Sequence, residues 1–261
     1  MHGRGYGSAG LGFGPPVTPT IVKRLLIAYA VVFVAQLVLG NAFTLLLSVQ
    51  PASVWQAGFL WQPFTYMWLH SPNHWGHVVM NAFVLWMFGS QLAMAWGAQR
   101  FLRYYLFCGV GAGVVISTWP YLAVWIGLSS PFSLGASTLG ASGAIYGVML
   151  AYSLTWPDRT IMLIFPPVAF RAIWLLPILF LMSLVLDPSG RVSHVGHLGG
   201  ALAGWLYLRR RGEGGNTLTL GHLQYRWRRF RMRQKLRAVQ REDVEARRRW
   251  QQRDDENRTL H

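Results

Sequence analysis

The run Val195-Gly196-His197-Leu198-Gly199-Gly200-Ala201-Leu202-Ala203-Gly204 decides the class of the molecule. It is apolar, and glycine recurs every four residues at Gly196, Gly200 and Gly204. In water such a glycine content weakens a helix. In lipid the same spacing makes a smooth face against which a neighbouring helix can pack closely. His197 lies near that face. An ionisable group inside an apolar span is costly, so it counts as a functional candidate.

The surrounding chain has the same character. Its 261 residues are 52% hydrophobic and 13% charged, against about 25% charged in a typical soluble domain. Of 24 Lys and Arg, 16 follow Leu208, and the only acids before Leu208 are Asp158 and Asp187. A surface so poor in charge suits lipid and excludes an ordinary soluble enzyme. A spanning helix needs about 20 mostly apolar residues. Six such segments are read: Leu25–Leu47, Trp75–Trp96, Phe101–Trp119, Thr138–Trp156, Ala172–Leu186 and Ser193–Leu208. The expected fold class is an all-α membrane protein, a six-transmembrane-helix bundle. Its expected divisions are a disordered Gly-rich segment over 1–20, the six-span domain over 21–208, and a basic tail over 209–261.

The N-terminal stretch does not read as a cleaved signal peptide, having no small-residue cleavage site after its first apolar run. Cys108, the single cysteine, reads as a small buried hydrophobe. The apolar segment Ile161–Pro167 is too short to span and reads as an interfacial loop. Gly40–His70 lacks Lys and Arg and carries Trp55, Trp61, Tyr66 and Trp68, suited to a membrane boundary. Arg4, Lys23, Arg24, Arg100, Arg103, Arg159, Arg171 and the tail all fall on one side for six spans. By that bias the expected location is a cell (inner) membrane, with both termini cytoplasmic.

Two further clusters join the glycine-rich run. Gly140-Ala141-Ser142-Gly143-Ala144-Ile145-Tyr146-Gly147 opens the fourth span. Its serine is either a helix cap or a nucleophile, set where free N–H groups and the positive helix end could hold an oxyanion. Gly140 and Gly143 remove side chains where a peptide backbone would approach. Tyr146 follows Ser142 by four residues, on the same face, and could stack on an imidazole. His197 is the candidate base, with His194 competing. His70, His74, His77 and Asn81 lie at and inside the second span. His77 and Asn81, four apart, could donate to an oxyanion. A zinc site is the rival reading of these histidines, but no Glu, Asp or Cys ligand accompanies them. With no triad acid in place, a Ser–His pair is the economical assignment. No cofactor or metal is expected.

Taken together, the stretches His70–Asn81, Gly140–Gly147 and His197–Gly204 resemble the rhomboid intramembrane proteases, over about Trp61 to Gly204. The resemblance implies a serine-type endopeptidase with Ser142 as nucleophile and His197 as base. It implies oxyanion donors at the Ser142 backbone N–H, His77 and Asn81, and Tyr146 stacked under His197, with Gly140, Gly143 and Gly200 in support. It also implies a membrane-embedded first loop and a cavity open to the extracytoplasmic side. A single-span substrate would enter between spans two and five. One departure is visible: many family members carry Trp-Arg where this chain has Trp61-Gln62. The alternative is a catalytically inactive rhomboid-like protein that binds transmembrane helices. Expected partners are transmembrane protein substrates and membrane lipids; the basic tail reads as a solvated cytoplasmic helix or as one lying on anionic lipid, and no nucleic acid is expected.

Overall fold

Among the described residues three helices are long and apolar enough to cross a membrane: Thr20–Leu47 (α1), Trp75–Trp96 and Ala98–Trp125 (α6). The computed structural model describes residues 14–162, 168–186, 193–210 and 232. Two compact units divide the chain at Arg211, and all described residues but Met232 belong to the first. Asp187 and, apart from Arg209, Arg210 and Met232, the expected basic tail lie outside the described residues.

α1 turns a lipid-facing side outward, with Val31, Val34 and Val38 exposed, and buries Val22, Leu25, Tyr29 and Phe33. Gly40 breaks its helical path with φ +75°, a value only glycine adopts without strain. The first loop then runs through two short helices, α2 (Pro51–Trp55) and α3 (Gln62–Thr65), and a 3-10 turn at Tyr66–Trp68. Gln62 stands where the resemblance implied an arginine. Fully buried, it accepts from the Gln50 N–H at 3.1 Å and donates to the Leu46 carbonyl at 3.3 Å. It thereby ties the loop to the end of α1. Tyr66 was expected at the membrane boundary. Instead it is buried, and its hydroxyl donates to the Gly109 carbonyl at 2.8 Å. Gly113 has room for this loop only because it lacks a Cβ, which would lie 2.3 Å from the Pro63 carbonyl oxygen.

The second crossing is α4 (Trp75–Val84), a π-helical turn (Leu85–Gly89) and α5 (Ser90–Trp96). Ordered structure reaches back to Gly14, within the segment expected to be disordered. The Trp86 indole N–H donates to the Thr18 hydroxyl at 2.8 Å. Where an interfacial loop was expected after the fourth segment, Thr160–Met162 (β1) and Ala169–Arg171 (β2) pair antiparallel. Between them residues 163–167 lie outside the described residues.

The remaining helices, α7 (Ser142–Thr155), α8 (Leu175–Leu186) and α9 (His194–Arg210), are shorter within the described residues, so length alone gives three spans there where six were expected. α7 and α9 are set deep in the protein, and their contacts follow from missing side chains. A Cβ on Gly196 would meet Ile116 of α6, and one on Gly204 would meet the Tyr104 hydroxyl, so α6 and α9 run antiparallel. A Cβ on Gly200 would lie 1.9 Å from the Gly143 carbonyl oxygen, so α7 and α9 touch backbone to backbone. Gly147 abuts the buried Cys108 in the same way. Gly200→Ala therefore forces α7 and α9 apart. We expect it to lower stability by about 1–3 kcal/mol, seen as a lower melting temperature in detergent.

Candidate active site

α7 starts at Ser142, and the capping position falls on Ala141, whose methyl group cannot cap. The Ser142 hydroxyl is thus not consumed as a cap. It lines a cavity of about 710 Å³ together with His77, Asn81, Tyr146 and His197. Met80, Val84, Met149 and Leu179 line the same cavity. The carrying helices α4, α7 and α9 all begin here, so three helix N-termini meet at one end of the bundle.

His197 is buried, and its ring stacks on Tyr146 with centroids 4.0 Å apart and planes 10° from parallel. The Tyr146 hydroxyl donates to the Leu179 carbonyl of α8 at 3.3 Å, which fixes the lower ring. His197 Nδ1 is buried and has no hydrogen-bond partner among the described residues. Among the described residues no acid orients this ring: Asp158 pairs instead with Arg171 at 3.6 Å, both well exposed. Ser142 and His197 share the cavity without a hydrogen bond between them. Such bonds often form only with substrate in place. His194 makes an edge contact with Phe180 at 6.1 Å and is not part of the cavity lining.

Across the cavity, Asn81 is 6% exposed and its Nδ2 has no hydrogen-bond partner among the described residues. A buried amide donor left unpaired is costly. Gly140 has φ +127°, and a Cβ there would lie 2.8 Å from His77 Nε2. The sequence reading gave Gly140 and Gly143 to an approaching peptide. Their space is instead taken by His77 and by Ala112 of α6, because the protein's own packing fills it first.

His70 does not reach the cavity. It is fully buried between the Tyr29 ring at 4.8 Å and the His77 ring at 5.4 Å. Burial, reinforced by His77 nearby, pulls its pKa down to about 3. His70 is therefore neutral at physiological pH. His74 lines the cavity mouth and is exposed. Among the described residues no three His, Cys, Asp or Glu side chains converge as a metal site would require. Gln36, and Ser183 of the cavity lining, have no place among the sequence-based expectations. Gln36 carried a signal, a carboxamide within an apolar span.

The family model for the Rhomboid domain matches residues 57–212. The chain belongs to the rhomboid family. This rhomboid is 34% identical over 138 residues to Rhomboid protein 1, mitochondrial, of Saccharomyces cerevisiae, covering 50% of this chain and 36% of the relative. It is 34% identical over 146 residues to the mouse (Mus musculus) Presenilin-associated rhomboid-like protein, mitochondrial, covering 51% and 33%. Against RHOMBOID-like protein 12, mitochondrial, of Arabidopsis thaliana, identity is 28% over 204 residues, covering 73% and 59%. The chain spans about a third of the length of the first two relatives. These relatives are named as mitochondrial proteins, which overturns the expected cell-membrane location with cytoplasmic termini and an extracytoplasmic opening. The physical reason for the error is plain. Basic residues show which helix ends share a side, but they do not name the compartment on that side.

Proposed function

We propose that this rhomboid is an intramembrane serine endopeptidase that cleaves single-span substrates through Ser142 and His197. One observation carries the reading: Ser142, His197, His77 and Asn81 line a single cavity, with His197 stacked on Tyr146 at 4.0 Å. Ser142 Oγ attacks the substrate carbonyl carbon while His197 takes the hydroxyl proton. The resulting oxyanion is held by the Ser142 backbone N–H at the start of α7, by His77 Nε2 and by Asn81 Nδ2. His197 then protonates the leaving amine. Water hydrolyses the acyl-enzyme and restores both side chains. Tyr146 substitutes for a triad acid by holding the imidazole ring in one plane.

In this reading α7, α8 and α9 also cross the membrane, giving six spans. Their short lengths suit helices that end against protein or at a water-filled cavity, where non-helical backbone is tolerated at membrane depth. A peptide bond within a helix hides its carbonyl, so the substrate segment must unwind locally before attack.

The test is cleavage by the full chain in lipid vesicles with a single-span model substrate. A new terminus within or beside the spanning segment is the expected product. An intact substrate in the presence of folded protein would overturn the reading and leave the inactive helix-binding alternative.

A further inference from the structure

Gln36 is a polar residue in the helix that exposes the most apolar surface to lipid, yet it is only 2% exposed itself. Its two polar atoms are both used. Nε2 donates to the Thr44 hydroxyl at 3.1 Å, across the break at Gly40. Oε1 accepts from the backbone N–H of His70 at 2.9 Å. A buried carboxamide satisfied at both ends holds what it touches in one place, since losing either partner would leave an unpaired polar group in an apolar setting.

The peptide unit that Gln36 holds leads directly to the site. The next backbone N–H, that of Ser71, donates to His77 Nδ1 at 3.4 Å. A neutral imidazole that accepts at Nδ1 carries its hydrogen on Nε2. Nε2, together with Cε1, forms the ring edge facing Gly140, two residues before Ser142. Two successive amides of one loop thus link α1 to the ring face turned towards the candidate nucleophile.

We propose that Gln36 is a positioning residue for the oxyanion site: by pinning the His70 amide it seats the Ser71 N–H on His77, fixing the tautomer that presents Nε2–H to the cavity. The inference rests on the protease reading given above and adds to it a residue on a helix that contributes nothing to the cavity lining. Trp75 and Trp68 flank the same loop, but their contacts are apolar and cannot select a tautomer.

The experiment measures kcat and KM for a single-span substrate with four full-length proteins: wild type, Gln36→Met, His77→Ala and the double variant. Gln36→Met keeps the volume and removes the acceptor. We expect kcat to fall about 10- to 100-fold with KM nearly unchanged, the scale that misplacement of one catalytic group costs. The double variant should be no slower than His77→Ala alone, because Gln36 acts through that ring. Wild-type kcat in Gln36→Met, or losses that multiply in the double variant, would overturn the inference. Full activity in His77→Ala would instead remove the oxyanion assignment itself, and the inference with it. A second readout needs only wild type and His77→Ala: the ring 15N shifts of His77, assigned by their disappearance in the variant. A hydrogen on Nε2 supports the proposal, and a hydrogen on Nδ1 ends it.

Discussion

Ser142→Ala is expected to bring cleavage of a single-span substrate to the uncatalysed level, a loss of about 10⁴-fold or more in kcat. Its fold should be unchanged. Ser142 is the first residue of α7, its hydroxyl caps nothing, and alanine is a better helix former. The measurement pairs a gel or mass assay of substrate cleavage with the melting temperature of the variant. Lost activity at a wild-type melting temperature is the expected combination. It separates a chemical role from a structural one, which a packing residue such as Gly200 could not do.

The second large effect distinguishes two histidines a single turn apart. His197→Ala should match Ser142→Ala in activity, since a serine hydroxyl without a base is a weak nucleophile. His194→Ala should keep cleavage within about tenfold of wild type, because its ring leans on Phe180 and stays out of the cavity lining. Combining Ser142→Ala with His197→Ala should add nothing further, as the two groups act as one unit. The reverse ranking of the two histidines would move the base to the start of α9 and leave the Tyr146 stack without a catalytic purpose.

Much of this arrangement is readable in one dimension because small residues report contacts directly. The four-residue glycine spacing of α9 announced a close helix partner, and Gly200 meets Gly143 of α7 there. The identity of that partner came from pairing His197 with Ser142 of the fourth segment. Ser142, Tyr146, His197, His77 and Asn81 line one cavity, as their positions on the second, fourth and sixth segments suggested.

What escaped the sequence depends on contacts between distant residues. Gln36 is one polar residue among apolar ones until His70, 34 positions later, donates to it. Tyr66 resembles the other loop aromatics, and only the Gly109 carbonyl opposite makes it a buried anchor. Gly140 was assigned to an incoming substrate because nothing local shows that a histidine 63 residues earlier fills the space. The β1–β2 pair was missed because three-residue strands carry too little alternation to register. Helix length by itself marks three of the six expected spans among the described residues. The 20-residue rule assumes a helix facing lipid at both ends, whereas α7 is buried along most of its length.

The most direct check is to expose the full-length protein, in membranes, to a small fluorophosphonate, which forms a stable bond with an activated serine oxygen, and to map the adduct by mass spectrometry. The account predicts one phosphonylated residue, Ser142, with labelling lost in His197→Ala. An adduct on a different serine in protein that cleaves its substrate, or equal labelling of Ser142 when His197 is absent, would contradict it.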